Sequence, residues 1–189
     1  DGSGTLEAAI RTILYAADNG ARVINCSWGT SEYTESLKEA VEYAKAKGML
    51  VVAAAGNDGE DTDKKPHYPS AYDSENIISV GSTDSLKHQM SYFSNWGLTT
   101  VDLAAPGSRI LSTFNPINSP LRPHYYFELS GTSMAAPHVS GALGLLFSAR
   151  PNLNWKDAKE ILLSTVEKSK YWDGKSVSGG ALNIHAALL

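Results

Sequence analysis

Apolar residues recur at two different spacings along this chain, and the alternation between the two sets the fold class. Thr5 stands ahead of Leu6, Ile10, Ile13, Leu14 and Ala17, which fall on one face of a helix that Asn19-Gly20 stops. Residues 22–28 (Arg-Val-Ile-Asn-Cys-Ser-Trp) are rich in β-formers and read as a strand ending at Gly29. A second helix starts near Thr34 or Ser36, where Ser36 with Glu39 has the spacing of a capping box. Leu37, Ala40, Val41 and Ala44 give it one apolar face, and Lys47-Gly48 closes it. Met49 to Ala55 is apolar without interruption, as a strand is when both of its faces are covered. Strand, helix and strand in this rhythm predict a parallel sheet with right-handed crossovers.

Beyond it, residues 57–72 are polar, contain Pro66 and Pro69, and read as a surface loop. Ile77 to Val80 is a short strand, and the segments 93–97, 101–107 and 110–113 follow as further extended pieces. Residues 114–123 hold three prolines and form a loop, after which Tyr125 to Leu129 reads as a hairpin arm. Residues 129–146 end that strand and open a helix that is apolar or small on nearly every face, the pattern of burial on all sides. Asn154 caps a helix with Trp155, Ala158, Ile161, Leu162 and Thr165 facing inward. Residues 176–180 read as a flexible turn, and Ile184 to Leu189 as a short closing helix.

The 189 residues suit one domain with a single core, and no repeat or low-complexity tract divides them. Hydrophobic residues make up 42% and charged ones 19%, so the chain is not of the disordered class. Its longest apolar runs, such as 49–55, fall far short of a membrane span. Sixteen basic against 20 acidic residues give a net charge of −4 with no basic stripe, which argues against a nucleic-acid partner. Cys26 is alone, which rules out an internal disulfide and a cysteine-based zinc site, and its strand makes it a core residue. With no initiator Met and no signal-peptide pattern, the chain reads as a piece of a longer precursor.

Chemistry concentrates at the turn into the long helix. Gly131 allows a sharp bend, and Ser133 falls at or next to the first helical position. Backbone N–H groups there lack helical partners, and the helix dipole is positive. A hydroxyl in that place sits beside ready-made donors for an oxyanion, as acyl transfer requires. Pro137 has no N–H, so it is tolerated near a helix start and leaves the carbonyl of Ser133 unbound. On turn chemistry alone, an ordinary strand-to-helix turn with a Ser cap explains the same residues.

The stretch Gly131-Thr132-Ser133-Met134-Ala135-Ala136-Pro137-His138-Val139 resembles, almost letter for letter, the nucleophile segment of the subtilisin-like serine proteases (subtilases, peptidase S8). The resemblance implies that Ser133 is the acyl-forming nucleophile and that His138 is a buried packing residue. Ala53-Ala54-Ala55-Gly56-Asn57 leaves its strand at the carboxyl end, where open α/β sheets place ligands. Read alone, Asn57-Asp58-Gly59 is also a plain turn. The stretch resembles the family's oxyanion-hole segment, which implies Asn57 as side-chain donor with the Ser133 N–H beside it. Ser27-Trp28-Gly29 resembles the substrate-binding strand, on which an extended peptide pairs with backbone. Trp28 stands where a smaller apolar residue is common, and core packing remains open for it. By the same resemblance Ala54, Ala55 and Gly56 wall the pocket for the residue before the scissile bond, with His67 at its base and Asp58 at its rim. Those two side chains predict a polar pocket suited to a basic or large residue. Gly131 and Thr132 complete the implied substrate-binding set. Tyr68-Pro69 resembles the family's cis-proline segment, Leu103 to Gly107 resembles a structural turn, and the 114–123 loop is longer than usual.

The resemblance covers essentially the whole chain. It implies a three-layer α/β/α fold with a mostly parallel sheet, residues 1–189 being the C-terminal portion of one catalytic domain that is incomplete without an N-terminal part. The family's Asp and His precede the Ser in sequence. No Asp-Thr-Gly or Asp-Ser-Gly strand end and no His-Gly-Thr-His helix start occurs, and His67, His88, His124 and His185 lie outside any matching motif. The implied partners are a polypeptide substrate, an N-terminal part carrying Asp and His, and a pro-domain inhibitor, with no nucleic acid and no membrane. The implied chemistry needs no cofactor or metal, structural calcium belonging to the full domain, and the implied location is secreted or cell-surface. The expectation is a serine endopeptidase whose nucleophile half, inactive alone, is this chain. A pseudoprotease that keeps the peptide groove is the alternative, against which the presence of both Ser133 and Asn57 weighs. A nucleotide-binding domain is set aside, since no Gly-x-Gly-x-x-Gly or Gly-Lys-Ser/Thr loop follows a strand.

Overall fold

The computed structural model describes residues 4–84, 89–114 and 126–189. In chain order their elements are α1 (Leu6–Asp18), β1 (Val23–Cys26), α2 (Glu35–Ala46), β2 (Leu50–Ala54), β3 (Ile77–Thr83), β4 (Leu103–Pro106) and β5 (Ile110–Thr113). These are followed by β6 (Tyr126–Leu129), α3 (Thr132–Ala149), α4 (Trp155–Ser164), β7 (Glu167–Lys168), β8 (Gly180–Ala181) and α5 (Ile184–Leu188). One sheet runs in the order β1-β2-β3-β4-β8-β7, parallel throughout except for β7 against β8. β5 and β6 form a separate antiparallel hairpin.

The alternation of side chains along the buried strands builds the three layers. Leu50, Val52 and Ala54 of β2, with Ile78, Val80, Leu103 and Ala105, meet Ala135, Ala136, Val139, Leu143 and Leu146 of α3. Val51 and Ala53 point the other way and meet Ile13 and Ala17 of α1 and Leu37, Val41 and Ala44 of α2. The expected mostly parallel, mixed α/β fold is therefore the one observed. Farther along that second face, the Trp172 indole is fully buried against Gly81, where a Cβ would come within 2.3 Å of the ring.

Several local expectations are corrected. The Ser36–Glu39 capping box does not form, because α2 starts two residues earlier than Ser36 as N-cap would set it and Thr34 is its N-cap. The Tyr72 hydroxyl holds Thr34 from both sides, accepting from its N–H at 3.3 Å and donating to its carbonyl at 2.8 Å. β1 is shorter than residues 22–28, since the chain leaves the sheet at Ser27. β3 is longer than 77–80 and buried throughout, its polar Ser82 and Thr83 satisfied by Ser94 Oγ, Ser91 Oγ and the Gln89 carbonyl. Residues 93–97 are irregular rather than extended, with Asp61 bridging to Trp96. Residues 176–180 are pinned rather than loose: Val177 N–H donates to the Val101 carbonyl, Ser178 N–H to that of Asp102, and the chain enters β8. The helix read as buried on all sides buries one face only, and Pro137, His138, Gly141, Gly144 and Leu145 are exposed. Among the described residues no helix is long and apolar enough to cross a membrane. Most of the 114–123 loop, and residues 1–3, lie outside the described residues.

Removing the Trp172 side chain (Trp172→Ala) is expected to cost about 3–5 kcal/mol. Gly81→Ala, which forces a methyl into the indole, is expected to cost about 1–3 kcal/mol. The double variant should cost less than the sum, because the vacated indole site admits the methyl. Urea unfolding followed by circular dichroism measures all three.

Candidate active site

The carboxyl ends of β1 and β2 meet the amino end of α3 at one edge of the sheet. Each segment turns there for a local reason. The chain leaves β2 through Gly56, whose φ of +108° is open to glycine at little cost, and Gly131 is the N-cap of α3. A glycine cap brings no side-chain acceptor to the first helical N–H groups. Asn57 supplies it from the neighbouring segment: its Oδ1 accepts from the Thr132 N–H at 2.8 Å and from the Thr132 hydroxyl at 3.0 Å. The same hydroxyl accepts the Gly56 N–H at 3.2 Å. The oxygen end of the Asn57 carboxamide is thus committed. Its Nδ2 group and the Ser133 N–H, one residue along from Thr132, have no hydrogen-bond partner among the described residues. Both are uncommitted donors on the segments that meet at the positive end of a helix.

Ser133 and Ser27 make reciprocal bonds. The Ser133 hydroxyl donates to the Ser27 carbonyl at 3.0 Å, and the Ser27 hydroxyl donates to the Ser133 carbonyl at 2.7 Å. The second bond fills the vacancy that Pro137 creates by withholding the helical N–H. Asn25 Nδ2 donates to Ser27 Oγ at 2.8 Å, and the Ser140 hydroxyl reaches Asn25 Oδ1 at 3.0 Å, so β1 is fastened to α3 along two turns. Cys26, between them in sequence, faces the core, and burial pushes its thiol up to about 12.

The remaining sequence-predicted residues distribute around this cradle. Ala54 and Ala55 are buried, and the Ala55 carbonyl accepts from Asn95 Nδ2 at 3.0 Å. His67 lies between Gly29 and Gly56, so close that a Cβ on Gly29 would sit 2.0 Å from its Cε1 and one on Gly56 3.3 Å from its Cγ. Its Nδ1 is buried without a partner. Burial holds the imidazole below its ordinary range, opposed by the Asp58 charge and a hydrogen bond to the Ala54 carbonyl. Asp58 is exposed, its N–H donating to Asn95 Oδ1 at 2.9 Å. Trp28 is not core: it is 37% exposed and lines a hollow with Leu6, Ala9, Thr12 and Thr34 at the start of α1. His138 is likewise not buried but exposed, its Nδ1 bonded to the Met134 carbonyl at 2.8 Å, because it falls outside the α3 face that Ala135, Val139 and Ala142 bury. Among the described residues no imidazole or carboxylate bonds to Ser133, His185 is in α5, and no group of three or more His, Cys, Asp or Glu could hold a metal ion. His88 and His124 lie outside the described residues.

Two positioning residues escaped the sequence reading. Asn95 is buried, and its Oδ1 accepts the N–H groups of Asp58 and Glu60, which fixes the turn that carries Asn57. Asn25 gave a readable signal, a lone amide inside the apolar Val-Ile-Asn-Cys strand. For Asn95 the sequence offers none, because its partners are backbone groups some forty residues away.

Ser27→Ala orphans the Ser133 carbonyl and is expected to cost about 1 kcal/mol in urea unfolding. Adding Pro137→Ala should recover most of that loss, since residue 137 then supplies the helical N–H. The depressed His67 sets a pH dependence as well. Unfolding frees the imidazole, which takes up a proton below its ordinary value of about 6.5, so stability should decline as the pH falls through that region. Thermal melts between pH 7.5 and 5 should show a shallower decline for His67→Gln.

With this geometry in hand, the sequence model of the subtilase family matches residues 1–181. Subtilisin DY of Bacillus licheniformis is 40% identical over 189 residues, covering 98% of this chain and 64% of its own length. Thermitase of Thermoactinomyces vulgaris is 49% identical over 147 residues, which is 78% of this chain and 48% of its own. The thermophilic serine proteinase of a Bacillus strain matches with 37% of its length. Among solved structures, a Pseudoalteromonas arctica protease superimposes with a TM-score of 0.84 at 28% identity, covering 98% of this chain and 59% of the other. The prenylagaramide maturation protease PagA superimposes with a TM-score of 0.82 at 29% identity. The chain thus spans between about a third and two thirds of the length of these curated relatives.

Proposed function

The chain belongs to the subtilase family, and from that premise we propose that it carries the nucleophile and the oxyanion cradle of a serine endopeptidase acting on polypeptides. The observation that supports this reading is that Asn57 Oδ1 caps Thr132, the residue before Ser133, which leaves Asn57 Nδ2 and the Ser133 N–H uncommitted at the amino end of α3. Ser133 Oγ attacks the peptide carbonyl, and the carbonyl oxygen takes the negative charge and accepts from both donors. The hydroxyl proton passes to a base. None bonds to Ser133 among the described residues, so an Asp- and His-bearing segment supplies it. The tetrahedral species then expels the amine, which leaves with that proton, and water attacks the resulting ester to regenerate the hydroxyl. The extended substrate lies along residues 27–29, whose backbone borders Ser133.

One observation favours a second reading. The Ser133 hydroxyl rests on the Ser27 carbonyl, as an alcohol without a base does, which is also what a groove that only binds peptides would show.

A fluorophosphonate separates the two. Ser133 is expected to label in the presence of a segment bearing the family's Asp and His, and negligibly in this chain alone. No labelling in either case would establish the binding-only reading. Asn57→Asp keeps the acceptor that caps α3 and removes the amide donor. Losing one such donor costs on the order of 10²–10³ in turnover in subtilisin itself, and a loss in that range is expected here while thermal stability holds. An unchanged labelling rate would remove Asn57 from the cradle.

A further inference from the structure

A carboxamide donor serves an oxyanion only if it points one way, and one held at a single end swivels. The Asn57 amide is held at its oxygen by Thr132. Its other end depends on the turn through residues 55–60, and the composition of that turn does not stiffen it. Gly56 at φ +108° and Gly59 at φ +69° flank Asn57 and Asp58 and loosen the backbone on both sides. The stiffness comes from another segment, through Asn95, which is 2% exposed. Ahead of Asn57, its Nδ2 donates to the Ala55 carbonyl at 3.0 Å and its own N–H to the Gly56 carbonyl at 3.0 Å. Beyond Asn57, its Oδ1 accepts from the Asp58 N–H at 2.9 Å and the Glu60 N–H at 3.0 Å. We propose that Asn95 is a positioning residue for the reaction, setting the direction of Asn57 Nδ2 and hence the rate at Ser133 without touching substrate. This rests on the reading of Asn57 as oxyanion donor and goes beyond it, since control of that donor then sits in a side chain some forty residues away.

Three observations support it. Asn95 grips the turn on both sides of Asn57, so the two flanks cannot move independently. Only an amide does both jobs: a carboxylate of the same shape brings no donor to the Ala55 carbonyl, and an apolar side chain brings neither donor nor acceptor. The amide also lies directly on the turn, for a Cβ on Gly56 would come within 2.2 Å of Asn95 Nδ2. Finally, Asn95 is itself anchored. Ser94 Oγ donates to the Asn95 carbonyl at 2.9 Å and accepts the Ser82 N–H of β3 at 2.8 Å. On either side of it, the Phe93 carbonyl accepts the Gly59 N–H at 2.8 Å and the Trp96 N–H donates to the Glu60 carbonyl at 3.0 Å. β3 is buried along its whole length, and its Ile78 and Val80 pack in one cluster with Ala135, Ala136 and Val139 of α3. The strand that anchors Asn95 is therefore also the one on which the Ser133 helix rests.

The test reads the Asn57 amide directly. In 15N relaxation of the wild-type chain, the Asn57 side-chain amide should be as ordered as rigid backbone, with an order parameter of about 0.85, and in Asn95→Ala it should fall below about 0.6. Asn95→Ser serves as a second variant. In the chain assembled with the Asp- and His-bearing segment, Ser133 is labelled with a biotinylated alkyl fluorophosphonate. Asn95→Ala should slow labelling at saturation by about 10- to 100-fold, the scale of a positioning error, with the half-saturating concentration unchanged. In an Asn57→Asp background, which already lacks the amide donor, the same substitution should change the rate by less than about twofold. An equal loss in both backgrounds is the mark of a merely structural role and would overturn the proposal, as would an unchanged labelling rate in Asn95→Ala. A mobile Asn57 amide in the wild-type chain would overturn it even if neither variant folds. Absent labelling of the wild-type assembly counts against the nucleophile reading alone, and the order parameters still decide whether Asn95 governs Asn57.

Discussion

A helix that begins on glycine has to find its cap elsewhere, and in this chain the cap comes from the end of a neighbouring strand. The bonds from the Thr132 N–H and hydroxyl to Asn57 Oδ1 tie the amino end of α3 to the carboxyl end of β2. They also decide which end of a carboxamide faces outward. A carboxamide has one acceptor oxygen and one donor nitrogen, so spending the oxygen on the helix leaves the nitrogen for a ligand. The rest of the site depends on this division. The Gly56 N–H bonded to Thr132, the Asn95 amide under the 56–60 turn and the Ser27–Ser133 exchange all hold the two ends at that spacing.

Pro137 shows the same economy from the other side. It removes an N–H from the first turns of the helix, which would leave a carbonyl bare in a partly buried place. Ser27 meets that carbonyl, and the strand that brings Ser27 is thereby locked to the helix that brings Ser133. A residue that weakens the helix locally makes the junction between two layers more specific. Asn25 and Ser140 extend the junction along the next turn.

Most of the architecture was legible in the sequence because it rests on periodicity. The one-sided apolar faces of α1 and α2 and the unbroken apolar run of β2 state their environments directly, and the structure realises them. The misreadings have a common cause, that pattern reports how apolar a face is and not what covers it. Helix α3 is apolar or small all round, yet Leu145 is 56% exposed and His138 is on the surface. β3 runs on past Val80 through Ser82 and Thr83, whose polar groups are satisfied by side chains and a carbonyl near residues 89–94 that no local rule connects to them. At the candidate site, Ser133 and Asn57 stand out through the family resemblance of their segments, since turn chemistry alone fits an ordinary cap and an ordinary turn. The position of the His67 ring does not, since its contact with Gly29 depends on how a loop folds back across two strand ends.

The placement of Cys26 has a practical consequence for how this surface meets electrophiles. It is the chain's single cysteine, one peptide unit from the Ser27 that touches Ser133, yet its sulfur faces the interior and stays protonated far above neutral pH. The usual competitor for acylating and phosphonylating reagents, a nearby thiolate, is thereby withdrawn. An acyl group recovered here would not be a thioester of Cys26, and stability to neutral hydroxylamine would distinguish an oxygen ester on Ser133 from one.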